Sequence, residues 1–159
     1  MIVILYNIRS LYNVGSVFRT ADAVGVEKIY LCGITSSPLD RFGKLRPQLA
    51  KVSLGAEKSV KWEKVKATSA LINKLKEEGY KIFAVEQAEN SIPYYKTNLL
   101  TSDVNKLVLV MGNEVRGLPP AILKKADKVL EIPMKGRKES LNVSVAFAVI
   151  AYFLRFGRK

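Results

Sequence analysis

The run KLVLVMG, residues 106–112, does most to limit how this chain can fold. Its central residues, Leu107 to Met111, include no polar side chain, and Gly112 ends the run. So short a segment is a strand. Being apolar on both faces it must be covered on both, which is the condition of a strand inside a parallel sheet. IVILY (2–6), KIYLC (28–32), KIFAV (81–85) and KVLEIPM (128–134) repeat the theme. Helical spacing fills the intervals. Leu71, Ile72 and Leu75 share one face of ATSALINKLKEEGY, and Gly79 is placed to end that helix. A short helix follows Pro119-Pro120, and LNVSVAFAVIAYFLRF (141–156) forms a long last one. Strands alternating with helices predict an α/β fold, a mostly parallel sheet flanked by helices. No repeat or linker interrupts the pattern, so residues 1–159 read as a single domain.

Composition narrows the chemistry. With no histidine and only Cys32, the chain has neither a zinc site of the usual ligand types nor a Ser-His-Asp or Cys-His catalytic arrangement. Proton transfer must then use carboxylate, Lys, Arg, Tyr or the substrate itself, and no metal is expected. A lone cysteine forms no internal disulfide, which suits the cytoplasm. No apolar run approaches the roughly 18 residues of a membrane span, and MIVILYNIRS reads as a first strand, not a signal peptide. Lys and Arg number 26 against 14 acidic residues, a net charge of +12. Such an excess concentrates polyanions at the surface and favours nucleic acid as a partner.

Asn13 opens the stretch NVGSVFRTADAVGV and is placed to cap the helix that follows. Val14, Val17, Phe18, Ala21 and Val24 form its apolar face, and Arg19 stands opposite among the mostly small Gly15, Ser16, Asp22 and Ala23. Small neighbours leave a long guanidinium accessible. The plain alternative is a surface ion pair with Asp22 three residues on, worth a few tenths of a kcal/mol. The last helix is apolar almost all round and needs cover on every side. A second copy of the chain supplies that cover in one reading, and a central place in a monomeric core supplies it in the other.

Two nucleotide-binding signatures fail. G-x-G occurs nowhere, and GNEVRG (112–117) is followed by Leu118-Pro119, not by the Lys and Ser/Thr that hold phosphate and magnesium. Three segments remain, each at a strand end or helix start: N-x-G-x-x-x-R-T (13–20), G-N-E-x-x-G-L-P (112–119) and S-L-N-x-S-x-A (140–146). Ligands of open parallel sheets gather in crevices outside the carboxyl ends of the strands.

In this order, covering nearly the whole chain, the three segments resemble the SPOUT superfamily, specifically its SpoU/TrmH branch of RNA ribose 2′-O-methyltransferases. The resemblance implies a C-terminal deep trefoil knot, a homodimer, and S-adenosylmethionine as methyl donor. It implies an RNA substrate, tRNA before rRNA; many relatives carry an extra N-terminal RNA-binding domain, but this chain starts directly at the first strand, so no separate RNA-binding domain is expected in it. A non-catalytic RNA-binding protein that kept the knotted fold is the alternative, and methylation of a small molecule or a base nitrogen a more distant one.

The resemblance also assigns roles. Arg19, acting across the dimer interface, activates the ribose hydroxyl. A guanidinium is a poor proton acceptor, so gripping the adjacent phosphate and stabilising the developing alkoxide is the chemistry that suits it. Asn13, Glu114, Ser140 and Asn142 join it in the catalytic pocket. Plainer roles stand beside these: Asn13, Ser140 and Asn142 as helix caps, and Glu114 as a turn carboxylate paired with Arg116. Cofactor contacts fall on Val85, Glu86, Gly112, Ile132, Met134, Ser140 and Leu141. Apart from the resemblance, basic charge makes Arg9, Arg41, Lys44, Arg46, Arg116, Lys135, Arg137 and Lys138 candidates to hold RNA phosphates, with a solvated basic loop as the plain alternative.

Overall fold

The structure, a computed structural model, describes residues 1–97, 101–113 and 115–157, the side chains of 101–103 excepted. The chain runs β1 (Ile2–Tyr6), α1 (Leu11–Ala23), β2 (Lys28–Cys32), α2 (Pro47–Ser53), α3 (Ala56–Ser59), β3 (Lys61–Val65), α4 (Thr68–Glu77), β4 (Lys81–Val85) and β5 (Ile92–Pro93). It continues through β6 (Leu107–Met111), α5 (Pro120–Leu123), β7 (Lys128–Glu131) and α6 (Val143–Phe156).

The seven strands of the described residues form one sheet, in the order β3-β2-β1-β6-β4-β7-β5, and every adjoining pair is parallel. β6, the uniformly apolar strand, lies between β1 and β4, with Leu109 opposite both Val3 and Phe83. Alternation along the strands sorts the core into two layers. Val3, Leu5, Leu107, Leu109 and Met111 face one way and pack with α1 and α6. Ile2, Ile4, Val108 and Val110 face the other way, with Leu71, Ile72 and Leu75 of α4 and Ile122 of α5. A polar residue anywhere in β6 would therefore meet a core.

The start of α1 corrects one expectation. The helix begins at Leu11, and Ser10, not Asn13, is its cap: the Ser10 hydroxyl accepts from Asn13 N–H at 3.2 Å. Asn13 lies inside the first turn, which frees its amide to reach other elements. Gly15 is also read differently in the fold. It is buried, and a Cβ placed there would sit 2.7 Å from the Leu49 carbonyl oxygen of α2. Smallness at position 15 lets two helices touch; it does not clear space around Arg19.

Helix α6 packs Val143, Phe147, Ile150, Ala151 and Leu154 inward, while Val145, Tyr152 and Phe156 stay exposed. Its apolar circumference is thus covered on one side only within the chain. Strands β3 and β5 and helices α2 and α3 escape the sequence reading. KWEKV is an edge strand with an outer face of Lys and Glu, and β5 is two residues long. None of the described helices is long and apolar enough to cross a membrane.

Candidate active site

Two cavities open side by side at the carboxyl edge of the sheet. The first, about 380 Å3, lies where β4, β6 and β7 end, and its lining includes Val85, Glu86, Gly112, Ile132, Met134, Ser140 and Leu141. All seven residues expected to hold a cofactor thus come together around one space, from four separate stretches of chain. The second, about 900 Å3, lies beyond the ends of β1 and β6, with Asn7, Arg9, Asn13, Arg116 and Asn142 on its walls. Asn113, Val115, Arg116 and Gly117 line both. The turn after β6 is therefore a shared partition.

That partition is braced. Asn113 Oδ1 accepts from the N–H groups of Val115 and Arg116, both at 2.9 Å, and Asn113 Nδ2 donates to the Asn7 carbonyl at 2.9 Å. Gly117 N–H closes the turn on the Asn113 carbonyl at 2.8 Å. Glu86 Oε2 accepts from Leu118 N–H at 2.7 Å. Gly117 has φ +61°, and a Cβ there would come within 2.2 Å of Glu86 Oε2, so only glycine fits. Glu86 consequently does two things, lining the first cavity and clamping its outer wall.

The approach to α6 is held across the chain. Asn142 caps the helix, its Oδ1 accepting from Ser144 N–H at 2.9 Å, while its Nδ2 donates to Asn13 Oδ1 at 3.0 Å. The two asparagines, 129 positions apart, are hydrogen-bonded on the rim of the second cavity. Of the two caps considered for α6, Asn142 is the one used. Ser140 is exposed on the first cavity.

Arg19 lines neither cavity. It is exposed on α1, on one side with Tyr12, Ser16 and Ala23 at helical spacing. The alternative ion pair is absent: among the described residues Arg19 makes no salt bridge, and Asp22 Oδ1 accepts instead from Ser59 Oγ at 2.6 Å. Glu114 lies outside the described residues. Lys135, Arg137 and Lys138 are exposed on the segment joining β7 to the first cavity, and Arg41 and Lys44 on the loop after β2. Arg46 is half-buried, its Nε donating to the Leu39 carbonyl at 3.4 Å.

Sequence reasoning missed Asn7 and Asn113 as parts of the site. Asn7 adopts φ +59° directly after β1, and its Oδ1 accepts from Ile34 N–H at 3.0 Å. An asparagine ending an apolar strand is the signal that such a left-handed, side-chain-bonded turn leaves in a sequence.

A parallel sheet with a partitioned crevice at its carboxyl edge defines an α/β ligand-binding protein of the open-sheet kind. The SpoU rRNA methylase family matches residues 1–152, and the chain belongs to that family. It is 33% identical over 152 residues to a tRNA (guanosine(18)-2′-O)-methyltransferase of Aquifex aeolicus, covering 96% of this chain and 67% of that protein. An AdoMet-bound rRNA methyltransferase from Sinorhizobium meliloti superposes with a TM-score of 0.85 at 28% identity, over 97% of this chain and 55% of that one. A structure concerned with 2-OH methylation of C/U34 on tRNA gives 0.75 at 29% identity, over 96% of this chain and 87% of that one. The chain spans 56% to 67% of the length of the first curated relatives it matches.

Proposed function

We propose that this chain transfers a methyl group from S-adenosylmethionine to a ribose 2′-OH of structured RNA, tRNA before rRNA, and works as a homodimer in the cytoplasm. The observation that carries the reading is the pair of cavities divided by one braced turn. A donor in the first and a nucleotide in the second would meet at its edge. The first cavity suits the donor: its volume falls in the range of small-molecule sites, and Val85, Ile132, Met134 and Leu141 give it apolar walls for a flat base. When bound, S-adenosylmethionine supplies an electrophilic methyl group.

The chain's own residues do the rest. The clamp of Glu86 on Leu118 and the Asn113 turn keep the partition rigid, so the two reactants hold their alignment. The Asn13–Asn142 bond fixes the rim on which the ribose rests. Arg19, reaching from the other subunit, grips a phosphate and stabilises the alkoxide as the hydroxyl proton leaves to phosphate or solvent. Support for the dimer is the exposed apolar side of α6, together with Tyr12 on the exposed side of α1 that carries Arg19. A knotted path between β7 and α6 belongs to the same reading. That segment is tied on both flanks, by Gln87 Nε2 donating to the Glu139 carbonyl at 2.6 Å and by the Asn142–Asn13 bond.

The preference for tRNA rests on the A. aeolicus relative's name and on the tRNA neighbour, whose length this chain nearly matches. Mapping 2′-O-methyl groups in total RNA from cells with and without the gene tests the proposal. Loss of a mark at one nucleotide is the expected result; an unchanged map, with no S-adenosylmethionine binding by calorimetry, would refute it.

A further inference from the structure

The loop leaving β2 carries a feature that neither cavity uses. Residues 39–45 fold into a small hairpin, with Leu39 paired antiparallel to Leu45 and Asp40 N–H donating to the Lys44 carbonyl at 2.8 Å. Asp40 Oδ1 accepts from Phe42 N–H at 2.8 Å and Lys44 N–H at 2.9 Å, and Gly43 takes the positive φ the turn needs. All this order serves to present Phe42, 70% exposed, with the Arg41 guanidinium 4.6 Å from its ring centroid.

The hairpin's root is equally firm. Ser36 N–H donates to the Ile8 carbonyl and Ser36 Oγ to the Arg9 carbonyl. Thr35 Oγ1 lies 2.7 Å from the carbonyls of both Leu5 and Cys32, and Lys64 Nζ donates to the Thr35 carbonyl. The hairpin thus grows from the carboxyl edge of the sheet, bonded to the strand-to-helix turn that supplies Arg9 to the second cavity.

We propose that this hairpin is a stacking contact for unpaired RNA, in which Phe42, backed by Arg41, receives the face of a nucleotide base outside the methylation site. The inference rests on the RNA-methyltransferase reading above. An exposed ring on a preorganised turn pays little ordering entropy on binding. Every base has a π face, and a guanidinium beside the ring adds attraction for base and phosphate alike. Arg41 lies against the ring, Lys44 and Arg46 follow within four residues of it in the chain, and Asp40, the only acid between residues 28 and 56, is engaged by backbone N–H groups. Ile34 and Leu39 of the same loop are exposed as well, but Arg41, Lys44 and Arg46 are interspersed with Phe42 and Leu39 in the chain, a charge that suits a polyanion better than an apolar partner.

The test uses the full chain, a labelled stem–loop RNA, and the same strand annealed to its complement. Phe42→Ala should weaken stem–loop binding about tenfold, with S-adenosylmethionine affinity and melting midpoint unchanged. Phe42→Trp should restore it and Phe42→Leu should not. Binding to the duplex should be weaker and insensitive to Phe42. Arg41→Ala should lower the salt dependence by about one phosphate contact, and Phe42→Ala should leave it alone. Stem–loop affinity within twofold of wild type in Phe42→Ala, wild-type stem–loop affinity in Phe42→Leu, or dissociation of a dimer by Phe42→Ala overturns the proposal. If wild type binds S-adenosylmethionine and RNA while Phe42→Ala matches it, only the hairpin assignment falls. If wild type binds neither, the enzyme reading falls with it.

Discussion

Cys32 illustrates how a single side chain is governed by its surroundings. Burial at the end of β2 pushes its thiol up from 9.0 to about 11, outweighing the opposing pull of Thr68 and Lys64. The native thiol should therefore resist alkylation near neutral pH until the chain unfolds, as a labelling time course in rising urea would show. The sign of the pH effect follows. Below pH 9 both states keep the proton; between about 9 and 11 the unfolded chain loses a proton that the folded chain retains. Stability should fall across that window, by about 1 kcal/mol per pH unit from this group. Cys32→Ala should flatten the slope relative to wild type in urea titrations. Gly117 is a second case at this scale. Gly117→Ala strains a positive φ and drives a methyl group into Glu86. About 1–2 kcal/mol of stability and more than tenfold in S-adenosylmethionine affinity should go, read by denaturation and calorimetry. The pattern G-N-E-x-x-G marked this turn in the sequence. That the second glycine answers to Glu86, 31 positions earlier, needed the fold.

Among the elements, the C-terminal ends of α1 and α6 are tied by Arg155. Arg155, near the end of α6, donates from Nε to the Val24 carbonyl at 2.9 Å and from Nη2 to the Gly25 carbonyl at 2.8 Å. These carbonyls close α1, where the helix dipole is negative and no basic residue lies in the helix's own last turn. Arg155→Ala should cost about 1–2 kcal/mol in urea denaturation, and Arg155→Lys should recover only part because one ammonium lacks the fork. Helix and strand identity was legible in the sequence for β1, β2, β4, β6, β7, α1, α4 and α6, where apolar periodicity is strong. It was not legible for β3, whose Lys and Glu pair across strands in surface contacts such as Lys28–Glu63 at 2.7 Å. The N-terminus of α1 was misplaced because Asn13 and Ser10 are equally good caps, and only backbone geometry chooses between them.

At the scale of the whole molecule, the proposed division of labour between subunits has a direct test. Assayed at an S-adenosylmethionine concentration too low to load the Gly117→Ala site, Arg19→Ala and Gly117→Ala should regain roughly a quarter of wild-type activity when co-refolded, because half the dimers are mixed and each holds one intact site. Arg19→Ala alone should keep near wild-type S-adenosylmethionine affinity. Failure to complement would place Arg19 in its own protomer's site or outside catalysis.

By itself the sequence determined the alternation of strands and helices, the burial of β6 on both faces, the basic surface and the exclusion of histidine-based chemistry. Each is a property of residue type or short-range spacing. Only the tertiary structure decided the strand order that sets β6 between β1 and β4, the partition shared by two cavities, and the Asn13–Asn142 bond. It alone decided that Gly15 is small for the sake of a neighbouring helix. The physical reason is that these are contacts between residues far apart in the chain, and the identity of either partner says nothing of where the other will lie.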